Sequence, residues 1–319
     1  MGDSGVGVAR AVGLMLGLVA DGVIGDPHKG RAVTGFTAIA NAARRRVHSD
    51  STLGGAVYTG ALTSAAVLAG SAAERAGSGR PVVRALATAT ATWAVLGGAR
   101  IATHGTELAR DLQCGDLDAA RRTVSALDSR SADELDATAL SRAAVEIVAL
   151  RSADDVVAPL LWGAVAGVPG LLGSRAVGVL RATTGEHVRS RGFGWVAARL
   201  DDLVNLLPTR AAAALTVASA PVVGGSAGAA LAAWRRDTVL HPSPNAGRVE
   251  AAFAGALEIR LGGRTVYRHG VRELPVLGDG RNPDAGHVTR AVELSRVVGW
   301  LAGAASVALA ALLGLRRRA

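Results

Sequence analysis

The sequence is poor in aromatic residues, cysteine and lysine, and each scarcity removes a class of explanation. Half of its 319 residues are hydrophobic, yet only 3% are aromatic. A soluble core of that apolar content draws on more Phe, Tyr and Trp. Here the apolar mass is Ala, Val, Leu and Gly, which let helices approach closely in lipid. Mean hydropathy is +0.30. Cys114 stands alone, so no intrachain disulfide and no CxxC metal site exist. Lys29 is the sole lysine, and the formal charge of +9 is carried by dispersed arginines. No aromatic stripe interleaves with them, which excludes a nucleic-acid surface as the reading of the charge. Anchoring of loops to anionic membrane lipid is the simpler account. The first apolar run ends at Asp21 with no small-residue cleavage site before it, unlike a signal peptide.

Six stretches approach the ~20 apolar residues that cross a bilayer. They are Val6 to Ile24, Leu53 to Ala73, Ala85 to Ala99, Val156 to Leu172, Ala211 to Ala233 and Val297 to Leu315. The second, fifth and sixth read as spans. The first carries Arg10 and Asp21, the third is Ala/Thr-rich around Trp93, and the fourth is broken by Pro159 and Pro169. Those three are spans or buried or re-entrant helices. The expected fold is an all-α polytopic membrane protein forming one domain over residues 1–319. A large Ala-rich soluble helical protein is the competing reading. Repeated uncharged stretches of this length argue against it.

Three polar segments interrupt the spans, at about 26–52, 102–155 and 234–296. In the second, Leu108, Leu112, Leu117, Val124 and Leu127 recur at near-helical spacing. Asp116 and Asp133 are candidate N-caps. The third holds strand candidates at Glu258 to Leu261 and Thr265 to Tyr267. Arg44 to Arg46 and Arg316 to Arg318 each argue for a cytoplasmic position of their segment.

Four constellations carry candidate chemistry. Asp21 and Asp26 flank Gly22 and Gly25 at the end of the first span, where an unpaired carboxylate is expensive. A helix end with an interfacial carboxylate is the plainer reading. Asp201 and Asp202 follow Arg199, and adjacent carboxylates suit Mg²⁺; a helical charge pair with Arg199 in a surface ion pair is the alternative. His241, Ser243, Asn245 and Glu250 lie on and after a loop stiffened by Pro242 and Pro244. A stiff polar loop beside lipid points to function, while Asn245 or Gly247 as a helix cap is the structural alternative. Asp279 and Arg281 sit among Gly278 and Gly280, which permit close backbone approach to a ligand or form a simple turn. No Walker A loop, dinucleotide fingerprint or nucleophile elbow occurs.

Taken together these segments resemble the CobD/CbiB family, the adenosylcobinamide-phosphate synthases of cobalamin biosynthesis. The resemblance covers nearly the whole chain. It rests on DGVIGDP (21–27), FGWVAARLDD (193–202), WRRD then HPSPNAG (234–247), EAAFAGALEIRLGG (250–263) and LGDGR (277–281), with weaker matches at SRAAVE (141–146) and APLLW (158–162). It implies a multi-pass ligase of the bacterial plasma membrane. That ligase joins adenosylcobyric acid to aminopropanol or its phosphate through an amide. ATP would activate the carboxylate as an acyl phosphate, with Mg²⁺. The partners implied are the corrinoid, the amine and membrane lipid. On this reading Asp21, Asp26, Asp201 and Asp202 bind metal. Arg199, Ser243, Asp279 and Arg281 bind substrate or phosphate. Glu146, His241, Asn245 and Glu250 orient substrate or move the amine proton.

Several family positions are altered. Leu150 and Arg151 stand where the family has Glu-Asn, and Gly178 and Arg181 replace Asn and Asp of an Asn-Thr-Leu-Asp run. Arg31 and Ala32 replace His-Pro, and the stretch Gly185 to Gly192 is shortened. Guanidinium in place of carboxylate abolishes metal binding rather than tuning it. The expectation is therefore an active synthase, or a non-catalytic or altered-substrate relative that binds a corrinoid or phosphorylated ligand. An unrelated transporter with proton-carrying carboxylates is disfavoured by the intact HPSPNAG and RLDD blocks.

Overall fold

The computed structural model describes residues 4–26, 31–47, 51–185, 191–267 and 270–316. Helices α1 (Ser4–Ile24), α2 (Arg31–Arg46), α3 (Thr52–Ala76), α4 (Pro81–Val95), α5 (Gly98–Gln113), α6 (Leu117–Leu127) and α7 (Ala137–Ser152) come first. One π-helical turn, Ala153–Val157, leads into α8 (Ala158–Gly185). Then follow α9 (Arg191–Val204), α10 (Leu206–Ser219), α11 (Ala227–Asp237), α12 (Ala246–Leu257), the hairpin β1 (Leu261–Tyr267) and β2 (Gly270–Leu277), and α13 (Ala285–Arg316). Among the described residues six helical stretches are long and apolar enough to cross a membrane. The chain is thus an all-α polytopic membrane protein with a single small hairpin among its described residues.

Caps explain several boundaries. Ser51 accepts from Gly54 N–H and opens α3, and Pro81 opens α4, where its missing N–H costs nothing. Asp116 caps α6 through Ala119 N–H, as its position predicts. Asp136, not Asp133, caps α7, because only it lies three residues before a free helical N–H, that of Ala139 at 2.7 Å. The apolar run 211–233 does not form one helix. It ends in a 3₁₀ turn, Ala220–Val223, and Gly224 takes a left-handed φ of 72° before α11 begins. Of the two strand candidates, Thr265 to Tyr267 lies within β1, whereas Glu258 is the left-handed residue closing α12 (φ 58°), and the pairing partner of β1 is the unforeseen β2.

Two compact units emerge, each discontinuous in sequence. The first comprises 1–99, 154–205 and 300–319. In it α1 runs beside α4 with Gly13 on Thr88 and Gly17 on Thr92, while Gly7 meets Gly314 of α13. No side chain larger than hydrogen fits these crossings, the usual device of helix packing in lipid. Tyr58, Leu180, Phe193, Ala40 and Ala197 form a buried cluster, with Tyr58 Oη donating to Ala40 O at 3.1 Å.

The same unit contains a helical hairpin. Gly167 adopts φ 67°, ψ −146°, a conformation open essentially to glycine alone, and Pro169 follows it. A Cβ on Gly163 would lie 2.8 Å from Leu171 Cδ2. Eight residues of straight helix would separate those positions by about 12 Å, so α8 turns back on itself. That apolar stretch is therefore a helical hairpin broken at Gly167 rather than one straight helix. The freed backbone groups are satisfied by charged side chains from two other helices. Arg10 donates to the carbonyls of Ala164 and Val165 (3.3 and 3.1 Å), and Glu74 accepts from Val168 N–H at 3.1 Å.

The second unit comprises 100–153 and 206–299. Its centre is α7 and α12, both buried nearly throughout despite the polar reading of residues 102–155. Gly255 lets α12 approach the backbone of Ala229 and Ala230. Ser152 bonds Ser295 at 2.7 Å, a polar clasp between α7 and α13.

Candidate functional site

The predicted residues separate cleanly. All four expected metal ligands, and Arg199, lie in the first unit. The other seven expected site residues lie in the second.

In the second unit Glu146 projects from α7 into a dry interior, 3% exposed. A bare carboxylate there would be costly. Its Oε2 accepts from Arg130 at 2.7 Å and its Oε1 from Gly262 N–H at 2.8 Å. Arg130 also bonds Asp128 at 2.6 Å. Burial disfavours the Arg130 charge, but Glu146 and Asp128 outweigh it and hold the guanidinium protonated. Ser131 N–H donates to Val266 O, so this network is fixed to the root of the hairpin.

The proline-bounded loop supplies His241, whose Nε2 lies 3.6 Å from a Glu250 carboxylate oxygen on α12. Burial lowers the His241 pKa below its ordinary value, against the opposing pull of the Ser243 backbone and the Glu146 charge. Its Nδ1 accepts from Ser243 N–H at 3.2 Å. Gly247 is obligatory beside the ring, since a Cβ there would collide with it. Ser243 Oγ accepts from the N–H groups of Asn245 and Ala246, so Ser243 performs the helix capping that the sequence reading gave to Asn245 or Gly247. Asn245 occupies the cap position without a side-chain cap bond, and its Oδ1 instead accepts from Thr209 at 3.2 Å. His241, Asn245 and Glu250 are thereby held as a group.

Asp279 is exposed and pairs with Arg236, while Asp237 accepts from Gly278 N–H at 2.8 Å. Arg281 donates to His287 Nε2 at 3.1 Å, and its backbone pairs with that of Glu258 and Arg260. Gly280 has no room for a side chain over the Glu258 carbonyl.

In the first unit Asp21 is buried and accepts from Ala99 N–H at 3.2 Å, in the first turn of α5. Asp26 is half-buried beyond the end of α1. Asp202 pairs with Arg199 at 3.0 Å, one turn away on α9, which is the surface ion pair considered from sequence. Asp201 is buried, accepts from Asn205 at 2.9 Å and meets Arg181 at 3.3 Å. Burial drives its pKa up to about 6, with Arg181 pulling down and Asp202 pushing up. The π-helical turn adds two carboxylates that sequence reading missed. Asp155 pairs with Arg175, its backbone carbonyl accepts from Gly97 N–H at 3.1 Å, and Asp154 feels the charges of Asp201, Arg181, Asp155 and Arg175. Their signal was an acidic pair at the very start of an apolar run with two arginines further along it. Of the altered positions, Arg181 engages Asp201 and Arg151 donates to Leu127 O. Gly178 faces open space. Pro27, residues 186–190 and the side chain of Arg31 lie outside the described residues.

Among the described residues no three His, Cys, Asp or Glu side chains form a group that could hold a metal ion. Asp201 and Asp202 already face arginines, so these carboxylates do not fit a preformed Mg²⁺ cage.

Buried ion pairs on helices of span length mark a polytopic membrane protein whose intramembrane charges are paired within the fold. The chain belongs to the CobD/CbiB family: the family profile described as CobD/Cbib protein matches residues 14–295. It is similar to proteins named cobalamin biosynthesis protein CobD. That of Mycobacterium tuberculosis is 49% identical over 311 residues, covering 97% of each chain. That of Chromobacterium violaceum is 34% identical, covering 95% of this chain and 98% of the relative. That of Geobacter metallireducens is 34% identical, covering 85% and 87%. No solved structure matches.

Proposed function

We propose that this protein acts in cobalamin biosynthesis at the bacterial plasma membrane, joining adenosylcobyric acid to aminopropanol or its phosphate through an amide. The observation that carries this reading is the HPSPNAG loop. It holds a buried imidazole of lowered pKa against Glu250, beside Asn245. An ammonium must lose a proton before its nitrogen attacks an activated carboxyl, and the Glu250 carboxylate is the base suited to accept it. His241, its Nδ1 already bonded by Ser243 N–H, orients Glu250, and Asn245, steadied by Thr209, offers its amide N–H to a substrate carbonyl. Arg130 and Glu146 keep the surrounding backbone fixed. ATP, with its own Mg²⁺, would supply the activation of the corrinoid carboxylate. Asp279 and Arg281, on the glycine turn, are the proposed substrate and phosphate contacts.

One observation favours a second reading, a non-catalytic or altered-substrate relative. The Arg181 guanidinium rests on Asp201 in the cluster that the family resemblance would assign to metal. Complementation of a strain lacking its own synthase decides between them. Restored corrinoid production, lost with His241→Ala by about 10²-fold or more, supports the ligase. No restoration, with corrinoid binding retained, supports the second reading. Neither restoration nor corrinoid binding overturns both.

A further inference from the structure

Two guanidinium groups meet the glycine turn of the second unit, and they are held in different ways. Arg236 pairs with the carboxylates of Asp237 and Asp279, so its charge is balanced. Arg281 is held by a neutral group. Its Nε–H donates to His287 Nε2 at 3.1 Å, and among the described residues no carboxylate forms an ion pair with it. Its main chain is fixed on both sides: the N–H donates to Glu258 O at 3.1 Å, and the carbonyl accepts from Arg260 N–H at 2.9 Å. Arg281 is nevertheless exposed.

The tautomer of His287 follows from its partners. A guanidinium Nε–H can only donate, so Nε2 of the ring carries a lone pair and the ring proton sits on Nδ1. There it donates to Asp284 Oδ1 at 2.7 Å. Asp284 N–H also lies 3.2 Å from Nδ1, but a ring accepting there would turn an Nε2 proton against Arg281. Burial would raise the Asp284 pKa, yet its bonds with His287 and the Arg281 charge outweigh it and hold the carboxylate ionised. His287 itself is buried in the first turn of α13. A carboxylate in its place would hold Arg281 more strongly and neutralise it. A neutral acceptor fixes the direction of the guanidinium and leaves its charge and two terminal nitrogens for an incoming anion.

We propose that Asp284, His287 and Arg281 form a relay that aims the Arg281 guanidinium at a phosphate group, with His287 as the positioning residue. The inference rests on the reading of Arg281 as a substrate or phosphate contact and deepens it. Two compounds of the proposed reaction carry such a group, aminopropanol phosphate and ATP.

Equilibrium dialysis of the full chain in lipid nanodiscs, against radiolabelled aminopropanol phosphate or ATP, tests it and separates the two sources. The source is the compound whose affinity falls about tenfold or more with Arg281→Gln, the loss of a hydrogen bond to a charged group. His287→Asn reaches Asp284 but not Arg281, and weakens the same compound about tenfold. His287→Gln places an amide oxygen where Nε2 was and stays within about threefold of the wild type. Arg281→Lys, at an exposed position, keeps the charge without the Nε–H and behaves as Arg281→Gln; it decides the matter should His287→Asn not fold, which melting curves show. A ring that merely supports the Asp284 turn predicts the reverse order, with Asn tolerated and Gln impaired. That result, equal effects of the two, or wild-type affinity in Arg281→Lys overturns the role of His287 alone. Binding unmoved by Arg281→Gln removes the contact at Arg281 and the relay with it, and leaves the ligase reading standing. A wild type that binds neither compound overturns the ligase reading and the relay together.

Discussion

Glu146 and Asp201 are both buried carboxylates met by an arginine, one in each unit, and their surroundings differ. Glu146 has both oxygens bonded, one by a fully buried guanidinium and one by a backbone N–H. Asp201 shares a half-exposed Arg181 with Asp154, and Asp202 adds a like charge. The first is a closed network that fixes geometry. The second carries more carboxylate than its cations balance, and burial, with the Asp202 charge adding to it, raises the Asp201 pKa. A buried ion pair is a poor source of net stability but a strong constraint once built. The second unit therefore holds shape, and the first holds an unevenly compensated charge.

The sharpest break of this contrast is Arg130→Met. It strands Glu146 in a dry interior and is expected to cost about 3–5 kcal/mol, read as a lower melting temperature in detergent. Arg181→Ala in the first unit removes a cation that is 48% exposed, so its effect should stay near 1 kcal/mol or less. Equal losses for the two would erase the distinction. Gly167→Ala is next in size. The left-handed backbone alone costs about 1–3 kcal/mol, and the new methyl would also displace the Arg10 and Glu74 side chains. The same substitution at Gly178, where space is open, should be nearly neutral or slightly stabilising.

Proton binding separates the clusters by sign. His241, held below its ordinary value, binds fewer protons folded than unfolded. Its contribution is lost as pH falls below about 6.5. Asp201, held up to about 6, binds more protons folded, so its contribution is present in acid and lost as pH rises through about 6. Melting curves from pH 5 to 8 should flatten on opposite slopes for His241→Asn and Asp201→Asn, by a few degrees each. The smallest expected effect is Ser243→Ala, about 1 kcal/mol from the lost cap. Its diagnostic is a raised KM or lowered rate at unchanged fold, because the capped turn also positions His241.

Much of this was legible in local sequence. Uncharged runs of span length fixed the membrane class, and the proline-bounded loop drew attention to His241, Asn245 and Glu250 before any geometry. Asp116 was readable as a cap because capping is a three-residue affair. The missed features are those that depend on distant partners. Arg130 is unremarkable until Glu146, sixteen residues on, folds over it. Asp154 and Asp155 looked like the end of a polar segment because nothing local announces that a π turn will carry them into a span. The β2 strand escaped notice because Arg272, Glu273 and Pro275 obscure its alternation. The division of the expected metal and catalytic residues between two units was likewise beyond any linear pattern.

The reversal within α8 has a consequence for how the chain enters its membrane. Arg10 and Glu74 belong to helices synthesised well before Gly167, yet the backbone groups they satisfy exist only after α8 has turned. Until then Arg10 and Glu74 can meet only each other, the pair that stands at 3.5 Å in the finished fold, and not the backbone groups of the turn. The shelter of that ion pair is therefore complete only once the last of the three segments has folded back.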